Sequence, residues 1–368
     1  MKVLILSCYT GEGHNSAARA VMEELQAHGI ECEITDPVAF KSEKAQKFVS
    51  SFYNNMIKKT PAAFGALYKA GTIYDSTGIT SPVYLLNAGY AENLNSYIEE
   101  NGYDTVICTH LYGMEVMTAI KKRLKKHIKS YGIFTDYTCI PFISETDLDG
   151  YFVPHETLKD EFCSKGYDKS IVFVTGIPVS PRFITKMKKD EAREILGMPQ
   201  DKKIYLIMTG GVGCENITEL CDEFLKKTDS GHVAYILTGR NDELKEKISS
   251  LYPESKIVPV AFTDKVNIYM RASDVLLSKS GGLSSTEAAV SNIPFVSVKP
   301  IPGCETKNAM FFSSFGMSVK AENYTEAMDI AISLAEDEEK AEKIRESQRE
   351  NINPYAARDI VLKVMENE

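Results

Sequence analysis

Short apolar runs of strand length alternate with amphipathic helical segments along the whole chain, and this alternation leaves few folds open. A strand followed by a covering helix returns parallel to its predecessor, so the pattern specifies layered α/β structure. Strand-like runs fall at Val3–Ser7, Glu31–Thr35, Thr105–Thr109, Tyr131–Thr135, Gly150–Val153 and Ile171–Thr175. A second set restarts at Lys203–Thr209 and continues through Val233–Thr238, Lys256–Val260, Asp274–Ser278 and Pro294–Val298. Each set opens with a strand and a Gly-rich turn, Thr10-Gly11-Glu12-Gly13-His14 in the first and Thr209-Gly210-Gly211-Val212-Gly213 in the second. The 368 residues suffice for two buried cores. Two facing Rossmann-like domains are expected, over residues 1–178 and 179–353. The stiff junction Gly176-Ile177-Pro178-Val179-Ser180-Pro181 joins them, since each proline holds its predecessor extended. Ligands of such sheets bind beyond the carboxyl ends of the strands, which places the reacting groups in the cleft between the domains.

Composition removes several function classes. A net charge of −9 argues against nucleic acid as partner. No run of eighteen apolar residues suggests a membrane span. Met1–Leu6 leads directly into a Gly-rich loop and reads as a strand rather than a signal peptide. The eight cysteines form no Cys-x-x-Cys and have no histidine at zinc spacing, so reduced thiols and a cytosolic compartment are expected. One local exception is the basic run Lys121–Lys129, which has no acid within it and suits either a solvated helix end or an anionic membrane.

The chemistry concentrates between Ser278 and Asn308. The run Asp274–Ser278 stops at Ser280-Gly281-Gly282, and a helical pattern starts at Leu283 and carries Glu287 on its second turn. Paired glycines admit a ligand close to the backbone, and the free N–H groups of a helix start attract phosphate. A carboxylate one turn in can accept both hydroxyls of a ribose, so the segment describes a nucleotide site. A second loop, Pro302-Gly303-Cys304-Glu305, follows the next strand. The first Gly-rich loop is a poor dinucleotide fingerprint, because Gly-x-Gly-x-x-Gly requires glycine where Ser16 stands.

The Gly281–Asn308 segment resembles the donor-site signature of family 28 glycosyltransferases, in particular the processive diacylglycerol glucosyltransferases and monogalactosyldiacylglycerol synthases. Their pattern is Gly-Gly-(Leu/Ile)-Thr-x-x-Glu-Ala followed by Pro-Gly-Gln-Glu-x-x-Asn-Ala; here Ser284 replaces the threonine and Cys304 the glutamine. The resemblance implies a GT-B type fold, with a C-terminal helix (354–368) crossing back to the first domain, and inverting transfer of glucose or galactose from a UDP-sugar to a lipid hydroxyl, most naturally diacylglycerol. It makes Gly13, Gly210, Gly211, Ser280, Gly281, Gly282, Leu283 and Ser284 donor-binding, the Gly210 and Gly281 loops meeting the diphosphate, and Arg240 either a cation neutralising phosphate or a surface residue. Glu287 takes the ribose, Phe262 walls the uracil or belongs to the core, and Glu305 with Asn308 meet the hexose. His14 becomes the base, because a neutral imidazole can take the acceptor proton near pH 7; a helix cap or phosphate donor is its alternative role. His110 and Asp136 fall on the acceptor side.

No cofactor or metal ion is expected, and Asp147-Leu148-Asp149 reads as a solvated turn. Ser180 stands where the family often has an arginine, and the nearest arginine is Arg182. The aromatic segment Thr60–Tyr90 corresponds to the family's bilayer-facing region, or else to a helical pair packed on the domain. With Lys121–Lys129 it suggests a protein peripheral to the inner face of the cell membrane. Rival readings are a UDP-GlcNAc 2-epimerase, a lipid-linked peptidoglycan GlcNAc transferase and a non-catalytic UDP-sugar sensor.

Overall fold

The strand-like runs pair as two parallel six-stranded sheets in a computed structural model describing residues 1–8, 12–184, 186–208, 216–254 and 256–366. The first sheet contains β1 (Lys2–Leu6), β2 (Glu31–Thr35), β3 (Thr105–Cys108), β4 (Lys129–Ile133), β5 (Gly150–Val153) and β6 (Val172–Val174), in the order β2-β1-β3-β4-β5-β6. Every residue of β3 and β5 is buried, which is why these strands read as continuous apolar runs rather than alternating ones. Its helices are α1 (Glu12–Ala27), α2 (Glu43–Lys59), α3 (Pro61–Asp75), α4 (Pro82–Ala88), α5 (Ala91–Asn101), α6 (Leu111–Ala119) and α7 (Glu156–Ser164). Four of them, α2 to α5, lie between β2 and β3, where one crossover helix would suffice. Pro61 and Pro82 open α3 and α4, at the position where a missing N–H costs nothing.

The second sheet contains β7 (Lys203–Met208), β8 (His232–Gly239), β9 (Ile257–Ala261), β10 (Val275–Ser278), β11 (Phe295–Val298) and β12 (Val319–Ala321), in the order β12-β11-β10-β7-β8-β9. Its helices are α8 (Lys189–Leu196), α9 (Ile217–Lys227), α10 (Asp242–Leu251), α11 (Val266–Ala272), α12 (Gly282–Val290), α13 (Cys304–Ser314), α14 (Tyr324–Glu336) and α15 (Glu338–Asn351). The closing helix, α16 (Ala356–Glu366), packs Ile360, Val361 and Val364 against Val3, Ile5, Val21 and Leu25 of the first sheet's layer. The chain accordingly divides into two compact units, one comprising Met1–Pro181, Pro302–Cys304 and Asn353–Glu368, the other Arg182–Ile301 and Glu305–Ile352.

Each strand order fixes where a ligand can enter its unit. From β1 the chain crosses to β2 on one side, whereas β3 leads away on the other, so the coverings diverge between β1 and β3. The same reversal occurs between β7 and β10. Such switch points open a crevice at the carboxyl ends of the strands. At the first of them Gly113 of α6 permits a close approach: a Cβ there would meet Leu6 Cβ at 3.0 Å and Cys108 Sγ at 3.2 Å. That contact seats the start of α6 directly against the ends of β1 and β3.

Candidate functional site

At the first switch point two histidines meet. His14 lies on the first turn of α1, which Ser7 anchors by donating to Asn15 Oδ1 at 2.7 Å. The Nδ1 of His14 is 2.8 Å from the Thr109 carbonyl oxygen and 2.9 Å from Thr135 Oγ1. A carbonyl only accepts, so the ring proton sits on Nδ1 and the lone pair on Nε2. His110 caps α6, its Nδ1 accepting the Tyr112 N–H at 3.2 Å, so the neutral ring carries its proton on Nε2. The two rings pack edge-on with centroids 4.7 Å apart. Burial lowers the pKa of His14 against the opposing pull of the Thr109 carbonyl, and burial reinforced by His14 pushes that of His110 well down. Both imidazoles are therefore neutral near pH 7, one presenting an acceptor and the other a donor. Both remain half-buried, as does Gly13 beside them.

Asp136 is half-buried in the turn after β4. His14 makes no hydrogen bond with it; Thr109 and Thr135 do the orienting. From α3, the Tyr68 hydroxyl lies 3.5 Å from both the Cys139 carbonyl and Cys304 Sγ, and burial raises its pKa.

The basic run is not the bare cationic strip that its sequence suggests. Lys121 pairs with Asp147 at 2.8 Å, Lys126 with Glu99 at 3.0 Å, and His127 lies 3.8 Å from Asp149. Arg123 stacks 5.7 Å from the Tyr84 ring centroid. The run ends at Lys129, the first residue of β4, and so lies at the opposite end of the sheet from the histidines. Asp147 and Asp149 are committed to these contacts and to the Ser130 N–H, and among the described residues no cluster of three acids, histidines or cysteines could hold a metal ion.

The second switch point carries the Gly-rich helix start. Gly281 is the N-cap of α12, with φ −65° and ψ 138° and no side-chain cap. This backbone suits any residue, and a Cβ would meet nothing nearer than Ser284 Oγ at 3.8 Å. Neither conformation nor protein packing requires glycine there; its effect is to leave the N–H groups of the first turn open to a ligand. Ser284 and Glu287 are half-buried on this helix, whereas Gly282 and Leu283 are buried. Gly210 and Gly211, from the loop across the switch point, lie outside the described residues.

Glu305, on the first turn of α13, accepts the Ile301 N–H at 2.8 Å through Oε2 and faces the Lys279 ammonium at 4.0 Å through Oε1. Asn308 is wholly buried and donates to the Ser280 carbonyl at 3.0 Å, and Ser280 in turn bonds to Ser297. Asn308 thus braces the loop that precedes α12. Phe262 is 61% exposed, with the Arg240 guanidinium 4.8 Å from its ring centroid, a cation–π platform beyond β8 and β9.

Two contributors escaped the sequence reading. Thr109 acts through its backbone carbonyl, which any residue supplies. Thr135 adds its hydroxyl at 2.9 Å from the same His14 nitrogen, a role that its place at the end of a strand did not announce.

A sequence profile of the monogalactosyldiacylglycerol (MGDG) synthases matches residues 14–179, and one of the glycosyltransferase family 28 C-terminal domain matches residues 205–361. A processive diacylglycerol beta-glucosyltransferase of Bacillus pumilus is 26% identical over 371 residues, spanning 99% of this chain and 94% of the relative. MurG of Acinetobacter baumannii is similar in structure, with a TM-score of 0.66 at 14% identity over 99% of both chains. UDP-GlcNAc 2-epimerase from Neisseria meningitidis, bound to UDP-GlcNAc, gives 0.63 at 17% identity over 100% of both chains. At these identities the structural likeness is one of fold, the GT-B type with two Rossmann-like domains.

Proposed function

Since the chain belongs to the family 28 glycosyltransferases, we propose that it transfers glucose or galactose from the UDP-sugar to the hydroxyl of diacylglycerol, with inversion at the anomeric carbon. In this reading the diphosphate lies on the open start of α12, Glu287 accepts the ribose hydroxyls, and the Arg240–Phe262 platform faces the uracil. His14 Nε2 takes the proton of the acceptor hydroxyl as its oxygen attacks the anomeric carbon. The bond from that carbon to the β-phosphate oxygen breaks, and UDP leaves with the electron pair. His110, packed edge-on against His14, helps position the acceptor from the same switch point. The leaving group carries its own activation, so no cofactor or metal ion enters the step.

The observation that carries this reading is the His14 ring, whose proton is fixed on Nδ1 by a carbonyl and whose lone pair is left at a switch point. A base held neutral by burial contributes about 10²–10⁴-fold to such a proton transfer.

A membrane acceptor requires membrane contact. No helix among the described residues is long and apolar enough to cross a bilayer. Large exposed hydrophobic side chains concentrate instead along α2 to α4 and their loops: Phe48, Leu67, Ile73, Ile79, Leu85 and Leu86 are all more than half exposed. They support association with a bilayer surface through apolar insertion. Because the Lys121–Lys129 cations are largely paired, they support it less.

The test is incubation with UDP-glucose, UDP-galactose or UDP-GlcNAc, with and without diacylglycerol vesicles, followed by mass spectrometry of lipids and nucleotides. A hexosyl-lipid formed with UDP is the expected result and names the donor. An isomerised nucleotide sugar, or no lipid product with any donor, refutes the reading.

A further inference from the structure

One face of α3 is shaped to a short stretch of distant chain. Gly65, Tyr68 and Gly71 recur along that face at three-residue spacing. A Cβ at Gly65 would lie 2.6 Å from Pro302 Cβ, so any larger residue would hold helix and proline apart. Gly303 has φ +118°, which disfavours every side chain, and a Cβ on it would meet the Tyr68 ring at 3.3 Å. The Tyr68 hydroxyl accepts from the Cys304 thiol at 3.5 Å and donates to the Cys139 carbonyl at the same distance. A Cβ at Gly71 would touch Phe142 at 3.4 Å, so α3 is seated on the turn after β4 as well. Pro302–Cys304 accordingly belongs to the first unit, although the chain on both sides of it belongs to the second.

The same three residues are the middle of a closed turn. Glu305 Oε2 accepts the Ile301 N–H at 2.8 Å, and the Thr306 hydroxyl donates to the Ile301 carbonyl at 3.2 Å. The Glu305 carboxylate therefore keeps its direction only while the turn keeps its shape. On its other faces α3 carries Leu67 and Ile73, 57% and 70% exposed, among the side chains assigned above to the bilayer contact. One helix thus presents apolar side chains to solvent and grips the residues that lead into Glu305.

We propose that Tyr68 is a positioning residue for the donor hexose, through which docking of α3 on a bilayer strengthens donor binding. The inference rests on the reading of Glu305 as a hexose ligand and of α3 as a bilayer contact. Insertion of Leu67 and Ile73 restrains α3, and the Tyr68 ring passes that restraint to Gly303 and Cys304. The turn then presents Glu305 with less freedom left to lose when the sugar arrives. UDP lacks the sugar, so its binding is indifferent to the bilayer. Linkage is reciprocal: the UDP-hexose must strengthen vesicle binding by the factor by which vesicles strengthen its own.

The experiment is calorimetric titration of the wild type, Tyr68→Ala and Tyr68→Phe with the preferred UDP-hexose and with UDP. Each titration is run with and without mixed phosphatidylcholine and phosphatidylserine vesicles, which lack diacylglycerol so that no transfer occurs. Vesicles should raise the wild-type affinity for the UDP-hexose about fivefold or more and leave that for UDP unchanged. Tyr68→Ala should lose the rise while still sedimenting with vesicles and binding UDP as the wild type does. Tyr68→Phe, which keeps the ring over Gly303, should retain most of it. An affinity indifferent to vesicles that the wild type binds, an equal rise for UDP, or a rise that survives in Tyr68→Ala overturns the proposal. A wild type that does not sediment with vesicles refutes the bilayer reading, and one that binds no UDP-hexose refutes the nucleotide-sugar reading. Either result removes the inference with its premise and is distinct from a missing rise alone.

Discussion

A histidine serves as a base only where its lone pair is aimed and its proton parked elsewhere. For His14 the Thr109 carbonyl does the parking, and burial keeps the ring neutral. Its lowered pKa sets the sign of the pH dependence: protonation removes the base, so kcat/KM should fall on an acidic limb lying below pH 6.5 and stay flat through neutrality. A limb above that value assigns the base elsewhere. Glu287 makes a separate prediction, since Glu287→Ala should weaken UDP binding about tenfold or more by calorimetry; unaltered affinity removes it from the ribose. The placements of His14 on the first turn of α1 and of Glu287 on α12 were legible because each follows a strand and a Gly-rich turn. Thr109 was not, because a carbonyl acceptor leaves no trace in residue identity. Asn308 was legible as a motif member, but its burial against Ser280 is a product of tertiary packing.

Among the elements, α4 shows what sequence periodicity could not deliver. Both of its ends are tied to buried or half-buried acids. Ser81, its N-cap, donates to Glu145, and Asn87 donates to Glu115 at 2.5 Å while accepting from Tyr90 at 2.7 Å. Glu115 is fully buried, and its carboxyl is pushed up to about 8, chiefly by burial and further by Glu145, against the Asn87 bond. Tyr90 and Tyr112 also face it. The folded state thus prefers the protonated acid. Stability should fall as pH rises from the ordinary glutamate value of 4.5 to about 8, by up to about 1.4 kcal/mol per pH unit, and level off above that. Glu115→Gln should flatten this decline in urea midpoints measured across that range; an unchanged slope means that Glu115 does not titrate there. The central strands of both sheets were readable because buried parallel strands are continuous apolar runs, whereas the edge strand β2 (Glu31–Thr35) alternates and has no buried residue. β12 escaped, being three residues with a lysine at its centre. The ion pairs of the basic run were not readable, because its partner acids, Asp147, Glu99 and Asp149, are distant in sequence or lie across a turn.

At the scale of the whole molecule, two sheets each place a chemically distinct cluster at a switch point, a pair of neutral imidazoles in one unit and an anion-receptive helix start in the other. The proposed membrane contact falls to the exposed apolar side chains of α2 to α4 and their loops. Replacing Ile73 and Leu86 by serine should reduce sedimentation with diacylglycerol-containing vesicles several-fold while leaving UDP affinity unchanged. Undiminished sedimentation moves membrane contact to another surface. The central claim, that His14 deprotonates a lipid hydroxyl while UDP departs, is tested most directly by UDP release from the preferred UDP-hexose, with and without diacylglycerol, in the wild type and in His14→Ala. The account predicts release by the wild type only when diacylglycerol is present, and loss of about 10²-fold or more in a variant that still binds UDP. Release independent of lipid, or wild-type turnover by His14→Ala, would contradict it.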